Sequence, residues 1–454
     1  MNCEKEKYSS QEIFEHLPVL KALRIMAVPT IMSQIIVLIY NMADTFYVGR
    51  ANNPYMVAGA SLILPVFNIC LALAGLAGIG GGTLISKLLG EHREEEAKKV
   101  SAFSIWLSIF IAALFSIGMA VFMHPILMLL GAGEYTYRYA MEYASCVIIA
   151  GGIPTVLSNV LSNLLRSTGV SKEAGFGIMI GGLLNIILDP IFMFVLLPDG
   201  YELLGAGIAT CLSNLLACLY FFRVIFRLHG QNVITFSLKQ GLPDAKSIGA
   251  VFNIGIPSAV STLLFDLDYV VIDKLMAAYG DISLAAIGIV LKAERLPLNV
   301  GIGICQGMLP IVAYNYSSGN RTRTHDTIRY SVIAGLFTAA VSIFLYELSA
   351  VKILHIFIND PQTVALGADF LRIRCLATPL MFLSFFTVHL FQAFGQGSKA
   401  SFLGIMRWCA FNIPMLFLLN AVFGMYGLVW SQLTADIFTV ILSFQVYRKH
   451  FNKL

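Results

Sequence analysis

Long apolar segments separated by short polar loops are the feature that most constrains how this chain folds. The sequence has 454 residues, of which 57% are hydrophobic and only 12% are charged. A helix needs about 20 apolar residues to cross the hydrocarbon core of a membrane. About twelve such segments are present, at 19–49, 56–86, 97–123, 137–165, 173–197, 205–229, 247–279, 282–315, 325–350, 362–394, 400–421 and 426–448. The sequence therefore predicts an all-α polytopic membrane protein with twelve transmembrane helices.

Lysine and arginine are concentrated in alternate loops of this predicted topology. If the N-terminus is cytoplasmic, the inner loops and tails hold 21 of these residues and the outer loops hold 4. Positive charge accumulates on the cytoplasmic side of membrane proteins. The imbalance predicts that both termini are cytoplasmic and that the number of spans is even. We expect a multi-pass protein of the plasma (inner) membrane.

The second half of the sequence repeats the order of segments found in the first half. Residues 57–64 resemble residues 284–291, and Gly205 occupies the place that Gly427 has in the second half. Six spans followed by six spans give both halves the same orientation, because six is an even number. Such a repeat predicts two six-helix bundles related by a pseudo-two-fold axis along the membrane normal.

The repeat divides the chain into three parts. We predict an N-terminal bundle (the N-lobe) at 1–229, a cytoplasmic linker at 230–246 and a C-terminal bundle (the C-lobe) at 247–454. The linker contains Gly241 and Pro243, which favour turns over helix. A cleft between two parallel bundles is typical of a transporter that works by alternating access.

A carboxylate lies inside one of the apolar segments. Asp189 follows Asn185 by one helical turn and directly precedes Pro190. The i,i+4 spacing puts the amide and the carboxylate on the same helix face. A charge at membrane depth is costly unless the protein compensates it, so it marks a functional site by default. Because Pro190 also frees a backbone carbonyl, the cluster suits a small cation, either a proton or a hard ion such as sodium.

Two residues from other segments reach the depth of Asp189. Asp189 lies about 24 Å from the inner end of its span, and Thr210 lies about 7 Å from the outer end of the next. These depths coincide in a hydrocarbon core about 30 Å thick. Asp44, about five residues before the first span ends, falls in the same outer layer. We expect Asp44 and Asp189 to share one cation or one proton.

Four other polar residues of the first half are candidates for the substrate site or for supporting the cation site. Tyr40 and Asn41 precede Asp44 by about one turn. They either support the carboxylate or cap a kink near the outer end. Asn159 and Asn163 lie in the fourth span, where they either line a cavity or join spans by hydrogen bonds.

The second half carries charges inside two of its spans. Asp266 and Asp268 lie in span seven, and Lys292, Glu294 and Arg295 lie in span eight. Charges at this depth are expected to pair with one another. We therefore predict an ion pair from an aspartate of span seven to Lys292 or Arg295. Glu294 is either the acidic group that attracts cationic drugs or a member of a structural ion pair.

Spans ten and eleven hold a few further polar residues. Arg372 and Arg374 are expected near the outer end of span ten, with their charged ends extended to water. Arg407 lies in span eleven, and His389 is expected to be a hydrogen-bonded packing residue.

Several short motifs occur in a fixed order along the chain. They are the strings at 40–49 (YNMADTFYVG), 78–82 (GIGGG), 166–169 (RSTG), 185–190 (NIILDP), 205–210 (GAGIAT) and 395–397 (GQG). In this order and spacing the chain resembles the multidrug and toxic compound extrusion (MATE) transporters, most closely their bacterial MepA/DinF-like branch. The resemblance covers about residues 15–450.

The resemblance implies secondary active efflux of amphipathic, often cationic, compounds in exchange for inflowing H⁺ or Na⁺. It also implies a cation site at Asp44, Asn185, Asp189 and Thr210, which would hold Na⁺ if sodium is the coupling ion. Other branches of the family have a carboxylate near the position of Asp266, as a cation or substrate site.

A membrane-embedded enzyme would need paired metal ligands or a nucleophile with a base, and no such set appears in the spans, where only His389 is clearly intramembrane. We therefore expect a protein that is not an enzyme and needs no cofactor besides its coupling ion. Its expected partners are small-molecule drugs or toxins and membrane lipids, without nucleic acid, and we expect a monomer. An alternative function is a lipid-linked oligosaccharide flippase of related architecture. That function favours a large basic cavity for a diphosphate, whereas the few cations in these spans are accompanied by carboxylates.

Overall fold

The structure is a computed structural model that describes residues 8–239 and 241–451, without the side chains at positions 266, 450 and 451. The described chain is almost wholly helical, so the predicted all-α fold class is confirmed. Its first half forms eight helices: α1 (Val19–Arg50), α2 (Pro54–Gly90), α3 (Glu94–Val121), α4 (Met123–Leu129), α5 (Glu134–Ala144), α6 (Gly152–Ser167), α7 (Ser171–Ile191) and α8 (Glu202–Arg227).

The second half of the described chain also forms eight helices. They are α9 (Ala245–Ala277), α10 (Asp281–Ser317), α11 (Arg321–Phe357), α12 (Pro361–Cys375), α13 (Thr378–Ala393), α14 (Gly397–Ile405), α15 (Ile413–Phe423) and α16 (Met425–Phe451). Short π-helical stretches extend or join several of these helices, at Ser145–Ala150, Phe192–Leu196 and Met406–Asn412. A further π-helical turn, Glu12–His16, precedes α1.

Among the described residues, ten helical segments are long and apolar enough to cross a membrane, and two bent pairs bring the number to twelve. The first pair runs from α5 to α6 with a bend of 46°, and the second runs from α12 to α13 with a bend of 48°. These pairs are the fourth and the tenth span in chain order. The bend therefore recurs at the same place in each half, as a repeat of six spans requires.

The two halves pack against each other through helices that approach very closely. A Cβ atom added at Gly80 of α2 would overlap the carbonyl of Val251 in α9, and one added at Gly255 would overlap the carbonyl of Leu76. Only residues without a side chain permit helix backbones to come this near, as is common inside membranes. The close contacts lie in the second part of α2 and the first part of α9.

The segment before α1 binds both halves at one end of the molecule, which we call the termini end. Phe14 is fully buried, and its carbonyl accepts a hydrogen bond of 3.0 Å from Asn315 of α10. Tyr314 donates a hydrogen bond to Glu15, which lowers the pKa of that carboxyl. On the other side, the Ser10 hydroxyl donates to the carbonyl of Thr168, at 2.5 Å, in the first half.

The chain between α8 and α9 runs back along α3. The Trp106 indole donates a hydrogen bond of 3.0 Å to the carbonyl of Phe236, and Val233 and Ile234 are buried. This connection is therefore partly packed against the first half.

Candidate cation site

The site begins on α7, where two polar side chains are buried in an apolar helix. Asn185 is 3% exposed and Asp189 is fully buried. Pro190 has no backbone N–H and cannot donate to the carbonyl of residue 186, which disturbs the regular α-helical pattern. The helix continues after Ile191 as the π-helical stretch Phe192–Leu196. A proline and a π-helical stretch inside a span commonly mark a functional region.

The Asn185 amide links the carboxylate to the neighbouring helix. Its Nδ2 donates to Asp189 Oδ1 and to Thr210 Oγ1 of α8, each at 3.2 Å. Both donor positions of the amide group are therefore used within the cluster. The structure thus brings together three of the four residues that the sequence assigned to the cation site.

Asp44 of α1 is the fourth residue, and it lies within electrostatic range of Asp189. Asp44 Oδ1, Asp189 Oδ2 and Asn185 Oδ1 are all buried oxygens without a hydrogen-bond partner in the described structure. Buried polar atoms normally have partners, and each exception needs an explanation. Asn185 and Asp189 are hydrogen-bonded to each other, and Asp44 lies within electrostatic range of Asp189. Unpartnered oxygens of this kind suit a proton or a hard cation.

Two tyrosines complete the surroundings of the carboxylates. Tyr40 and Tyr143 both lie within electrostatic range of Asp44 and Asp189. Tyr40 belongs to the predicted set, whereas Tyr143 of α5 does not. The tyrosine-rich run 135–143 was the available signal in the sequence. Which of its tyrosines lies near the site depends on how α5 packs, which the sequence did not reveal.

The remaining candidates of the first half lie elsewhere. Asn41 is exposed, and its carbonyl accepts a hydrogen bond of 2.9 Å from Thr45 within α1. Asn159 donates to the carbonyl of Thr155 one turn earlier, at 2.9 Å. Asn163 accepts a hydrogen bond of 3.0 Å from Arg166.

The second half holds carboxylates that are paired with arginine. Glu294 of α10 accepts a hydrogen bond of 2.7 Å from Arg374 of α12, and both side chains are at most 5% exposed. Asp436 of α16 accepts one of 3.0 Å from Arg407, and both are at most 2% exposed. The second oxygen of Asp436 accepts a hydrogen bond of 2.6 Å from Gln432.

These pairs correct two predictions. Arg374 does not extend to water but is buried against Glu294; only Arg372 has the expected half-exposed position. The predicted ion pair between spans seven and eight is wrong for Asp268, because Lys292 is exposed and Arg295 lies over aromatic rings. The reason is that α12 packs against α10, so that Arg374 of α12 pairs with Glu294.

Asp268 has a different environment from the paired acids. It is 4% exposed, and its Oδ1 has no hydrogen-bond partner in the described structure. It lies within electrostatic range of both arginine–carboxylate pairs. The prediction for Asp266 falls on a side chain outside the described ones.

Comparisons with known proteins identify the family. The MatE family matches residues 29–191 and again residues 257–440. The multidrug export protein MepA of Staphylococcus haemolyticus is 30% identical over 435 residues, which cover 96% of this chain and 94% of that protein. MepA of Staphylococcus aureus NCTC 8325 is 30% identical over 430 residues, covering 93% and 92%.

Solved structures have the same fold. An outward-facing multidrug resistance MATE transporter superposes with a TM-score of 0.92 at 22% identity, over 99% of both chains. A mutant of the Vibrio cholerae MATE transporter VcmN superposes with a TM-score of 0.90 at 20% identity, over 96% of this chain and 98% of that one. Two matched segments, near-full-length relatives and a shared fold agree: the chain is a multi-pass membrane transporter, not an enzyme, and belongs to the MATE family.

Proposed function

We propose that this transporter expels amphipathic, often cationic, compounds from the cytoplasm in exchange for inflowing H⁺ or Na⁺. The family membership and the relatives named multidrug export proteins support this function. The observation that carries the coupling mechanism is the group of three buried oxygens without partners, on Asp44, Asn185 and Asp189. A transported cation would supply the positive charge that these side chains lack.

The ion acts by removing the repulsion between two carboxylates. Asp44 lies on α1 and Asp189 on α7, so a cation held between them draws the two helices together. Pro29 gives α1 a place to bend. At this point α7 lies very close to α1, because a Cβ atom added at Gly175 would overlap the carbonyl of Pro29. A ligand shifts a conformational equilibrium only through its different affinities for the two states. We propose that the state with α1 bent at Pro29 binds the coupling ion more tightly and releases the drug.

The contacts between the two halves support an outward-open arrangement. Gly307 of α10 lies against Ala27 near the start of α1, and Gly90 at the end of α2 lies against Tyr314 near the end of α10. These contacts lie toward the termini end. With both termini in the cytoplasm, as the lysine and arginine distribution predicts, the cleft between the halves opens outward.

The proposed exchange mechanism needs two bundles joined by a linker. Residues 1–229 and 247–454 form the two bundles that move against each other, and residues 230–246 connect them on the cytoplasmic side. We place the protein in the plasma (inner) membrane as a monomer, with drugs and lipids as its partners.

The second half helps to select substrates by their charge and does not take part in ion coupling. Arg374 neutralises the charge of Glu294. This pairing favours a structural ion pair over a role of Glu294 in attracting cationic drugs. Among the described side chains of the second half, the buried carboxylates (Asp268, Glu294 and Asp436) outnumber the buried arginines (Arg374 and Arg407) by one. We propose that Asp268 supplies the negative charge that favours cationic substrates.

Dye efflux from proteoliposomes with separately imposed H⁺ and Na⁺ gradients tests this function. We expect one of the two gradients to drive efflux by the unaltered protein. Asp189→Asn is expected to lose gradient-driven efflux, and Asp199→Asn, at an exposed loop position after the same helix, is the matched control. Efflux that neither gradient drives would contradict antiport, and normal efflux by Asp189→Asn would contradict the proposed site.

A further inference from the structure

A buried arginine without an acidic partner lies between the two halves. Arg166, near the end of α6, is 5% exposed. Its guanidinium donates to Asn163 Oδ1 at 3.0 Å, to Gln306 Oε1 at 3.2 Å and to Ser162 Oγ at 3.4 Å. All three acceptors are neutral oxygens. No charged side chain among the described residues opposes the charge of this arginine.

A charge in this position requires compensation. Arginine stays protonated in proteins, so the group cannot become neutral by losing its proton. Its place in the last turn of α6 gives partial compensation, because a helix C-terminus carries about half a negative charge. The rest of the positive charge has no counterpart, and a buried charge without one is strongly destabilising.

Arg166 lines a small cavity that contains unused hydrogen-bond donors. The cavity has a volume of about 20 Å³, which is room for about one water molecule or one monatomic ion. Arg166 Nε and Thr83 Oγ1 have no hydrogen-bond partner in the described structure, and Thr83 is 1% exposed. Both side chains line the cavity, together with Gln306 and Leu309 of α10.

We propose that this cavity binds a single halide ion, in cells chloride, between the guanidinium of Arg166 and the hydroxyl of Thr83. A water molecule would satisfy the unused donors but would leave the charge of Arg166 uncompensated. A monatomic anion satisfies both donors and the charge. A polyatomic anion such as phosphate or sulfate would have to extend beyond this volume.

The halide site belongs to one conformation of the transporter. Thr83 and Arg166 come from the first half, and Gln306 and Leu309 come from the second. Gln306 Oε1 also accepts a hydrogen bond of 3.1 Å from Gln34 of α1, so it bonds two residues of the first half at once. Separation of the halves here would dismantle the cavity. Halide binding therefore stabilises the state in which the halves meet at this level.

Two measurements on the full-length purified protein test the site directly. Crystals soaked in bromide should show an anomalous scattering peak in the cavity next to Arg166. The melting temperature should rise saturably when chloride replaces gluconate at constant sodium concentration. Absence of the peak from the cavity, or equal melting temperatures in the two salts, would overturn the proposal.

Variants separate this site from general salt effects. Arg166→Gln should lose the saturable chloride response. Thr83→Val keeps the side-chain shape, removes one donor and should weaken chloride binding about fivefold to tenfold. Arg93→Gln, whose side chain is 50% exposed in the unaltered protein, is the control and should respond normally. If Arg166→Gln does not fold, Thr83→Val and the bromide peak still decide, and an unchanged chloride affinity in Thr83→Val counts against the site.

Discussion

The two halves of the molecule each contain a buried carboxylate cluster, and the clusters differ in how their charge is compensated. In the first half, Asp189 is fully buried beside Asn185 and Thr210. In the second half, Asp436 is equally buried but is bonded to Arg407 and Gln432. Both clusters are built from the fifth and sixth spans of their half. Only the cluster in the second half includes its own cation.

The sequence repeat shows where this difference arises. The offset that relates Gly205 to Gly427 also relates Thr210 to Gln432 and Asn214 to Asp436. Repeated positions thus keep polar character while their charges diverge. A carboxylate with an arginine beside it is neutralised permanently, whereas one without must take its cation from solution. We infer that the Asp189 cluster is built to exchange a cation during transport, whereas the Asp436 cluster is not.

The largest expected effect comes from neutralising the unpaired carboxylate. Asp189→Asn removes the charge that attracts the ion, so gradient-driven efflux should fall by at least about tenfold, equivalent to about 1.4 kcal/mol or more of lost coupling free energy. The amount of folded protein in the membrane should stay the same or increase, because a buried unpaired charge is removed. Efflux and melting temperature of Asp189→Asn and Asp199→Asn should be measured side by side. If Asp189→Asn were less stable but still performed normal coupled efflux, Asp189 would have a structural role and not a coupling role.

Breaking the arginine pair of the second half should act on stability first. Arg407→Met leaves Asp436 buried and uncompensated, which is expected to cost about 3–5 kcal/mol. The double variant Arg407→Met/Asp436→Leu removes both charges and should recover most of that loss. Unfolding of the two variants should be followed in detergent or in lipid nanodiscs.

A double variant as unstable as the single one would show that the pair has more than the structural role we assign it. Coupled efflux by the recovered double variant should stay close to that of the unaltered protein.

A smaller effect is expected from the hydroxyl that shares the Asn185 amide. Thr210→Val removes one hydrogen-bond acceptor and one possible oxygen ligand while it keeps the shape of the side chain. A loss of about 1 kcal/mol corresponds to about fivefold weaker ion binding. The measurement is the concentration of H⁺ or Na⁺ that gives half-maximal efflux. Ser213→Ala, in the same helix, removes a hydroxyl that bonds only to its own helix and serves as the control.

The smallest expected effect concerns substrate charge. Asp268→Asn removes the one buried carboxylate of the described second half that has no arginine partner, so efflux of a cationic dye should fall about threefold relative to a neutral one. Ion dependence should not change, because the cation site of the first half is intact. Competition between a cationic and a neutral substrate measures the ratio. An equal reduction for both substrates would contradict a role in charge selection.

The parts predicted from the sequence are those that depend on local spacing. Asn185 and Asp189 are one helical turn apart, and the depth of Thr210 follows from counting residues along its span. The family resemblance named Thr210 as a member of the site, and its depth agreed with that of Asp189. The fold class followed from the apolar segments, and the family from the order of short motifs.

The parts that could not be predicted depend on how helices bend and pack. The packing of α12 against α10 brings Arg374 to Glu294, a partner 80 positions away in the sequence. The packing of α5 likewise brings Tyr143 within electrostatic range of Asp44 and Asp189. Hydropathy gives the depth of a residue but not the direction of its side chain around the helix.

Substrate-driven counter-flux of the coupling ion tests the central claim most directly. Proteoliposomes containing the unaltered protein, Asp189→Asn or the double variant Arg407→Met/Asp436→Leu would receive drug on one side, and movement of H⁺ or Na⁺ would be recorded with an ion-sensitive dye. We predict ion movement with the unaltered protein and the double variant, and none with Asp189→Asn. Undiminished ion movement with Asp189→Asn would contradict the account.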